Sequence, residues 1–321
     1  MIVVTGADGF LGSAVMAGLA ARGHALRGLV RTLDASTVAR PEYLAVGDLA
    51  RVGDETLRNA LRGASAVVHL AAQAHRPLDA DIESAAALRR VNVEASERLA
   101  SATAAAGARH FVFVSTVKVH GDRSLPGRPL RESDPPHPPD EYAASKWAAE
   151  RALAIVAERT ALCVTALRLP LVYGPGVKAN FAALARAVAR GVPLPLAAVA
   201  NKRSVLGTGN FVSALAALLA SDGAGRHGQL TPYFVTDAES VSTPDLVRAL
   251  SQAFRVAPRL FPFPASALRI AGAWLGKSET VERLLDTLEA DATTFRTHYA
   301  WTPPYSLAQG VAAMLADRPP L

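Results

Sequence analysis

The chain has 321 residues, of which 50% are apolar and 19% are charged, and its formal net charge is +6. A chain of this length and apolar content can bury a core in one large domain and a second, smaller one. The positive charge does not indicate a nucleic-acid partner, because the arginines are scattered, with no basic run and no interleaved aromatic residues; it suits a site for anionic, phosphorylated ligands.

Short apolar runs alternate with helical stretches along the first half of the chain. Strand-like runs lie near residues 1–5, 25–30, 43–46, 66–70, 110–115 and 162–168, and long helices are expected at about 81–106 and 141–159. This alternation predicts an α/β fold, a Rossmann-type doubly wound parallel sheet. We expect a dinucleotide-binding domain at 1–168, which also receives about 209–237. A smaller, mainly helical and discontinuous substrate domain takes most of 169–321. Within it, Thr243 is expected to cap a helix whose first residue is Pro244.

The first strand-like run leads directly into a glycine motif. Gly6, Gly9 and Gly12 stand between this run and a helical stretch that ends at Gly23, which is the context that a dinucleotide fingerprint requires. Gly6 permits the tight turn, Gly9 lets the backbone approach a pyrophosphate, and Gly12 allows close packing. Phe10 and Leu11 complete this part of the predicted cofactor site.

The end of the second strand indicates which nicotinamide cofactor is used. An NAD enzyme presents an acid to the ribose hydroxyls at this point, but here Arg31 occupies the position, and an arginine suits the 2′-phosphate of NADP. Asp34 lies close enough to keep NAD possible. Other predicted cofactor contacts follow the next two strands; they are Asp48, Leu49, Leu70, Ala71 and Ala72. His69, at the end of the fourth strand, is expected to be packed rather than a ligand.

Tyr142 and Lys146 are spaced so that both side chains share one helix face. The ammonium can then favour the phenolate, whose ordinary pKa of about 10 must fall for chemistry near neutral pH. Ser115 and Thr116 end a buried strand whose carboxyl end opens on the ligand crevice. A lone pair of this kind is usually surface packing. Together with the glycine motif it indicates a nicotinamide-dependent redox site, in which Thr116 hydrogen-bonds the substrate oxygen that Tyr142 protonates or deprotonates.

Other features narrow the class of protein. The single cysteine, Cys163, lies in a strand-like run and is expected in the core, and no His/Cys spacing or acidic cluster suggests a metal. No apolar run is long enough to span a membrane, and the first strand begins at residue 1. We therefore expect a cytoplasmic protein without membrane insertion.

Across its length the chain resembles the extended short-chain dehydrogenases/reductases of the nucleotide-sugar epimerase/dehydratase family. The motifs that carry the resemblance include the glycine motif, Asp48-Leu49, residues 69–72, Asn92, Ser115-Thr116, Tyr142 with Lys146, residues 168–170, 173–176 and 301–304. The resemblance implies a catalytic triad of Thr116, Tyr142 and Lys146. It also implies cofactor contacts from Asn92, Ser115, Pro170 and Val172, and a UDP-sugar substrate held by Lys118, Asn180 and Arg203. No clear counterpart is found for a late arginine that many relatives add to the diphosphate site. Relatives often dimerise through the two long helices, so a homodimer is expected.

A narrower resemblance concerns residues 115–121, 176–181, 201–204 and 285–291. These segments are similar to bacterial surface-polysaccharide enzymes that reduce UDP-4-keto-6-deoxy-N-acetylglucosamine to UDP-N-acetylquinovosamine. Lys118 and His120 depart from the residues usual in epimerases. The resemblance implies an NADPH-dependent 4-keto reductase; the alternatives are a UDP-hexose or UDP-N-acetylhexosamine 4-epimerase with tightly bound NAD and, more distantly, a non-catalytic dinucleotide sensor.

Overall fold

A parallel sheet lies at the centre of the computed structural model, which describes residues 1–34, 37–38, 40, 42–73, 82–221 and 227–316. The strands of this part of the chain are β1 (Ile2–Thr5), β2 (Leu26–Val30), β3 (Tyr43–Ala45), β4 (Ala66–His69), β5 (His110–Thr116), β6 (Cys163–Leu169), β7 (Leu171–Tyr173), β8 (Val205–Gly207) and β9 (Leu230–Phe234). Seven of them form one sheet in the order β3-β2-β1-β4-β5-β6-β9, with parallel pairing throughout. The pair β7 and β8 forms a separate small parallel sheet.

The strand order reverses between β1 and β4, which are neighbours in space but not in sequence. In open parallel sheets, such a switch point leaves a crevice outside the carboxyl ends of the strands, where ligands bind. Thr5 and His69 end these two strands and pair in register. The predicted Rossmann-type doubly wound sheet is confirmed.

Helices cover both faces of the sheet and build the smaller region beyond it. They are α1 (Phe10–Ala20), α2 (Asp54–Leu61), α3 (Ile82–Leu88), α4 (Ala95–Ala105), α5 (Glu141–Arg159), α6 (Ala179–Ala189), α7 (Thr208–Ala220), α8 (Thr243–Phe254), α9 (Ala265–Trp274), α10 (Ser278–Leu285), α11 (Thr293–His298) and α12 (Leu307–Ala316). Among the described residues, no helix is both long and apolar enough to pass through a bilayer.

The alternation of side chains along each strand divides the core into two layers. Val3 packs with one cluster, which includes Leu99 of α4 and Leu153 of α5. Its neighbour Val4 packs with the other, which includes Leu19 of α1 and Phe211 of α7. Both faces of the sheet are therefore buried, which is why its strands are apolar nearly throughout.

A third core cluster lies in the later part of the chain. It joins Tyr173 of β7, Phe181 of α6, Leu250 of α8, Leu285 of α10 and Met314 of α12. Strand β9 does not belong to this cluster, because it pairs with β6 in the main sheet. The division at residue 168 into cofactor and substrate domains stays a prediction.

Two predicted helix details differ from the structure. A single helix was expected at 81–106, but the structure divides this stretch into α3 and α4, with a π-helical segment, Arg89–Glu94, between them. Asp81, the first residue of the expected helix, lies outside the described residues. The expected cap Thr243 is wrong by one position, because Ser242 caps α8 by accepting from the Asp245 N–H. Thr243 instead donates its hydroxyl to the carbonyl of Leu284 at 2.7 Å.

Candidate active site

The glycine motif forms a tight cradle between β1 and α1. Gly6 has a φ of +62°, and a Cβ there would lie 3.0 Å from the Ala71 backbone; a Cβ at Gly12 would lie 1.9 Å from the Gly6 carbonyl oxygen. Gly9 precedes α1 as its N-terminal cap residue. Phe10 and Leu11 are the first residues of that helix, whose N-terminal end carries the positive pole of the helix dipole. Side chains are thus excluded where a pyrophosphate would approach the backbone, and the residues present fit a dinucleotide.

The next strand ends provide the walls of the crevice. The Ala71 N–H donates to the Thr5 hydroxyl at 3.3 Å, so the segment of Leu70, Ala71 and Ala72 lies against the glycine turn. At the other side of the sheet, the Gly47 N–H donates to the carbonyl of Arg31 at 3.1 Å. Arg31 therefore lies beside the turn that contains Asp48 and Leu49, and its side chain is exposed.

Asp34, the acid that kept NAD possible, takes part in a local turn. Its Oδ1 accepts the Thr37 N–H at 3.1 Å and the Thr37 hydroxyl at 3.0 Å. Asp48 likewise accepts the N–H of Ala50, two residues ahead of it, at 3.0 Å. Arg31 is thus the residue that directly follows β2 at this edge, and neither acid occupies its position.

Asn92 lies in the π-helical segment and connects two predicted parts of the site. Its Oδ1 accepts the Gln73 N–H at 2.8 Å, and its Nδ2 donates to the Gln73 carbonyl at 3.1 Å and to the Ser145 hydroxyl at 2.9 Å. Ser145 lies on α5 between Tyr142 and Lys146. The predicted cofactor residue Asn92 therefore fixes the segment that follows β4 against the helix of the triad. π-Helical turns are often found at functional sites.

His69 forms a buried chain of hydrogen bonds behind this segment. Its Nδ1 is 2.6 Å from the Thr5 hydroxyl, and its Nε2 is 2.9 Å from the hydroxyl of Ser96, which donates to the Asn92 carbonyl at 2.7 Å. Burial, with a smaller effect of Lys146, lowers the pKa of His69 to about 3. The imidazole is therefore neutral, and its role as a packed rather than a ligand residue agrees with the prediction.

Helix α5 presents Tyr142 and Lys146 beside β5. Lys146 is 2% exposed, and its Nζ lies 4.0 Å from the ring centroid of Phe113. Burial lowers the pKa of Lys146 to about 7, an effect that Glu150 opposes. Tyr142 is half-buried, and burial together with Asp140 raises its pKa to about 12. The pKa is thus raised, not lowered as the sequence predicted, because burial outweighs any effect of Lys146. At neutral pH this phenol is protonated and can act as a proton donor.

Asp140 connects the start of α5 to the turn that follows β5. One carboxylate oxygen caps the helix by accepting the Ala143 N–H at 2.8 Å, and the other forms an ion pair with Lys118. Lys118 is in turn fixed by its N–H, which donates to the Thr116 hydroxyl at 3.3 Å. Thr116, Lys118 and the first turn of the tyrosine helix are therefore held together at the carboxyl edge of the sheet.

A buried ion pair lies directly below the triad. Glu150 and Arg168 are 1% and 3% exposed. The Glu150 carboxylate accepts from Arg168 Nη2 at 2.6 Å and from the Ser115 hydroxyl at 2.6 Å, while Arg168 Nη1 lies 2.7 Å from His120 Nε2. Sequence reasoning placed Ser115 among the cofactor contacts, but its hydroxyl is occupied by Glu150. It missed Glu150, although this residue follows Lys146 by one further helical turn.

A charged pocket adjoins the triad where α10 faces the Lys118 turn. Its lining residues are Lys118, Asp122, Pro139, Asp140, Glu279, Glu282, Arg283 and Asp286. Arg283 acts electrostatically on both Asp140 and Arg203, and burial lowers the pKa of Arg203. Arg203 is further fixed by donating to the Asp286 carbonyl at 3.0 Å. Arg283 is a cation that sequence reasoning missed, and it lies only two residues before a segment that carries the narrower resemblance.

The remaining predicted residues are distributed around the end of β6. Pro170 is buried between β6 and β7, and Val172 is half-buried within β7. Asn180 is exposed in the first turn of α6, after Ala179, which adopts a φ of 55°.

Cys163 is buried, as predicted. Within the described ranges, no cluster of three or more His, Cys, Asp or Glu side chains could hold a metal ion.

Comparison with known proteins identifies the family. Residues 2–231 match the NAD dependent epimerase/dehydratase family. The UDP-glucose 4-epimerase of Vibrio cholerae is 33% identical over 312 residues, which are 96% of this chain and 92% of that relative. The chain therefore belongs to the NAD dependent epimerase/dehydratase family and is an enzyme of that family, as its sequence motifs predict.

Solved structures with ligands share the same fold. The UDP-glucose 4-epimerase of Thermus thermophilus in complex with NAD gives a TM-score of 0.74 at 25% identity, covering 98% of this chain and 97% of that chain. MoeE5 in complex with UDP-glucose and NAD gives a TM-score of 0.75 at 26% identity with the same coverage. These relatives bind NAD, and MoeE5 also binds a UDP-sugar.

Proposed function

We propose that the protein transfers hydride at carbon 4 of a UDP-linked sugar. The observation that carries this proposal is the placement of Tyr142 and Lys146 on α5, fixed through Asp140 and Asn92 to the turns that surround the crevice. When bound, a nicotinamide cofactor supplies or accepts the hydride. The membership in a family of nucleotide-sugar enzymes supports the choice of substrate class.

Each member of the triad has a separate task in this proposal. Tyr142 donates its phenolic proton to the oxygen on carbon 4 as the carbonyl is reduced, so that the product is a neutral alcohol. Lys146 lies one turn further along the helix and stabilises the phenolate that remains. Thr116 positions the same sugar oxygen through its hydroxyl, which the Lys118 N–H already orients.

The cofactor is proposed to lie between the glycine cradle and the segment at residues 70–72. Gly6, Gly9 and Gly12 admit the pyrophosphate, and the N-terminal end of α1 balances its charge. Arg31, exposed directly after β2, supports NADP, because its guanidinium can pair with the 2′-phosphate. NAD remains the second candidate, since the solved relatives bind it.

The substrate diphosphate is proposed to bind between Lys118, Asn180 and Arg203, with Arg283 as a further cation. Arg283 and Lys118 line one pocket, and Arg283 acts electrostatically on Arg203. Each of the two now pairs with a carboxylate, Lys118 with Asp140 and Arg283 with Glu279, which the diphosphate would have to displace. Arginine suits this task because its planar fork of donors matches phosphate oxygens. Binding the diphosphate at a distance positions the sugar without altering the reacting carbon.

We favour net reduction of UDP-4-keto-6-deoxy-N-acetylglucosamine as the reaction. Lys118 and His120 support it, because they depart from the residues usual in epimerases. Arg31 points in the same direction, since NADPH is the usual reductant in biosynthesis. The second candidate is 4-epimerisation with tightly bound NAD, which is favoured by the activity of the Vibrio cholerae relative.

The two candidates are separated by cofactor consumption. NADPH absorbance is followed after adding enzymatically prepared UDP-4-keto-6-deoxy-N-acetylglucosamine, and interconversion of UDP-N-acetylglucosamine and UDP-N-acetylgalactosamine is followed without added cofactor. The reductase consumes one NADPH per keto sugar; the epimerase interconverts the sugars and consumes none. A Tyr142→Phe variant is the control, because it should abolish either reaction and still bind the cofactor.

Assembly and location are also proposed. A homodimer through α4 and α5 fits the exposed Arg151, Ile155 and Glu158 on the outer face of α5. Light scattering on the purified protein tests it: a mass of about twice 33.6 kDa supports the dimer, and 33.6 kDa contradicts it. We propose the cytoplasm as the location, which cell fractionation tests.

A further inference from the structure

Helix α9 exposes an apolar surface that the proposed reaction does not use. Trp274 is 89% exposed, Leu275 is 71% exposed and Ile270 is 62% exposed. Ile270 and Trp274 lie one turn apart on the same side of the helix, and Leu275 follows at its end. Two further aromatic residues, Phe261 and Phe263, are 42% and 39% exposed in the segment that precedes the helix. We call these five residues the α9 surface.

The inner side of the same helix packs against the rest of the protein. Gly272 is buried, and a Cβ there would lie 2.7 Å from Val281 Cγ2 of α10. Ala265 and Leu268 pack against the third core cluster. The hairpin of α9 and α10 is thus anchored to the protein by one side, while its opposite side presents large apolar residues to solvent. Burying such residues inside the chain would have been the ordinary outcome.

The charged residues of the α9 segment itself are all positive. Residues 255–277 contain four cations and no acid, and all four side chains are exposed: Arg255, Arg259, Arg269 and Lys277. Arg269 also pairs with Asp286 at 2.6 Å. The nearest acids along the chain, Glu279 and Glu282, line the pocket beside Lys118 on α10. The apolar residues are therefore flanked by positive charge along their own segment.

We propose that the α9 surface docks on the surface of an anionic lipid bilayer. Tryptophan prefers the boundary between water and lipid, because its ring is apolar while its N–H bonds to water or headgroups. Leucine and isoleucine add apolar area at shallow depth, and lysines and arginines nearby are attracted to anionic headgroups. A second copy of this chain fits less well, because it would bring the same four cations against each other.

The docked orientation places the substrate pocket at the membrane. Helix α10 packs on α9 through Val281 and lines the pocket with Arg283 on its other side. Contact between α9 and lipid therefore holds the pocket that α10 lines close to the bilayer, a consequence that rests on the proposed substrate site. The association is peripheral, since no described helix could span the bilayer.

Vesicle binding tests this proposal without relying on catalysis. The full-length protein is sedimented with vesicles of phosphatidylethanolamine and phosphatidylglycerol and, separately, with vesicles of phosphatidylcholine alone. We expect binding to the anionic vesicles, weakened by raised salt, and at least tenfold weaker binding to phosphatidylcholine. A variant that combines Ile270→Ser with Trp274→Ser should bind the anionic vesicles at least tenfold more weakly. Leu125→Ser is the matched control, because Leu125 is 64% exposed in a different loop, and it should bind like the wild type.

Tryptophan fluorescence gives a second measure on the same samples. The chain has three tryptophans; Trp301 is buried and Trp147 is half-buried, so a blue shift on binding reports Trp274, and Trp274→Phe should remove it. Equal binding by the wild type and the double variant, or no binding to anionic vesicles, would overturn the proposal. It would also be overturned if the double variant changed a dimer into a monomer while the wild type ignored vesicles, because the surface would then be a subunit interface.

Discussion

Replacing Glu150 by glutamine should destabilise the protein strongly, because it leaves a buried guanidinium without its counter-charge. The carboxylate accepts from three Arg168 contacts at 2.6 to 3.2 Å and from the Ser115 hydroxyl at 2.6 Å, and both charged side chains are at most 3% exposed. Removing one partner of a buried pair of this kind costs about 3–5 kcal/mol. Glutamine preserves the shape, but its amide N–H groups face the donors of Arg168 or Ser115.

The assay is urea unfolding followed by circular dichroism, with the unfolding free energies compared at one pH. The matched control is Glu239→Gln, which removes an exposed carboxylate outside the helices and should change stability by less than about 0.5 kcal/mol. A double variant that combines Glu150→Leu with Arg168→Met should be more stable than either single variant, since it leaves no buried charge. A loss below about 1 kcal/mol for Glu150→Gln would refute the account of this pair.

Two further predictions concern the cofactor cradle and acid stability. Gly12→Ala should weaken cofactor binding at least tenfold, as measured by calorimetry, because its Cβ would lie 1.9 Å from the Gly6 carbonyl oxygen. Gly53→Ala, which has open space around it, is the control and should bind the cofactor normally. Equal affinities of the two variants would contradict the assignment of the glycine motif as the cofactor site. Burial lowers the pKa of His69 to about 3 and of His110 to about 4, so the stability they confer when neutral is present above pH 6.5 and is lost as the pH falls towards those values. The free energy of unfolding should therefore decline below pH 6.5 by up to about 1.4 kcal/mol per pH unit for each histidine. The decline should be less steep in the His69→Gln variant. A free energy of unfolding that stays constant from pH 7 to pH 5 would contradict this prediction.

The parts of the fold that depend on local pattern could be predicted from the sequence. The run that ends at Thr5, the glycines after it and the following helix all lie within 20 residues, so each signal supports the next. Strand β9 lies within residues 209–237, which were expected to join the dinucleotide-binding domain. Its Pro232 is tolerated because β9 lies at the edge of the sheet, where only β6 pairs with it.

Features that depend on tertiary packing could not be predicted in the same way. Glu150 and Arg168 are separated by 18 positions, and only the packing of α5 on β6 brings them together. The π-helical segment is invisible in an alanine-rich pattern, because its apolar spacing is that of an ordinary helix. Arg283 could not be assigned to the site from the sequence, because only the packing of α10 beside the Lys118 turn brings it into the same pocket as Lys118. The Ser242 cap was missed because Thr243, directly before Pro244, is also a favoured capping residue.

Isotope tracing tests the central proposal, hydride transfer at carbon 4 of a UDP-sugar, most directly. The enzyme is supplied with 4,4-dideuterated NADPH and UDP-4-keto-6-deoxy-N-acetylglucosamine, and the product is analysed by mass spectrometry and proton NMR. The account predicts one deuterium per product molecule, located at carbon 4, and no product from the Tyr142→Phe variant. Product without deuterium at carbon 4, or deuterium at another carbon, would contradict it.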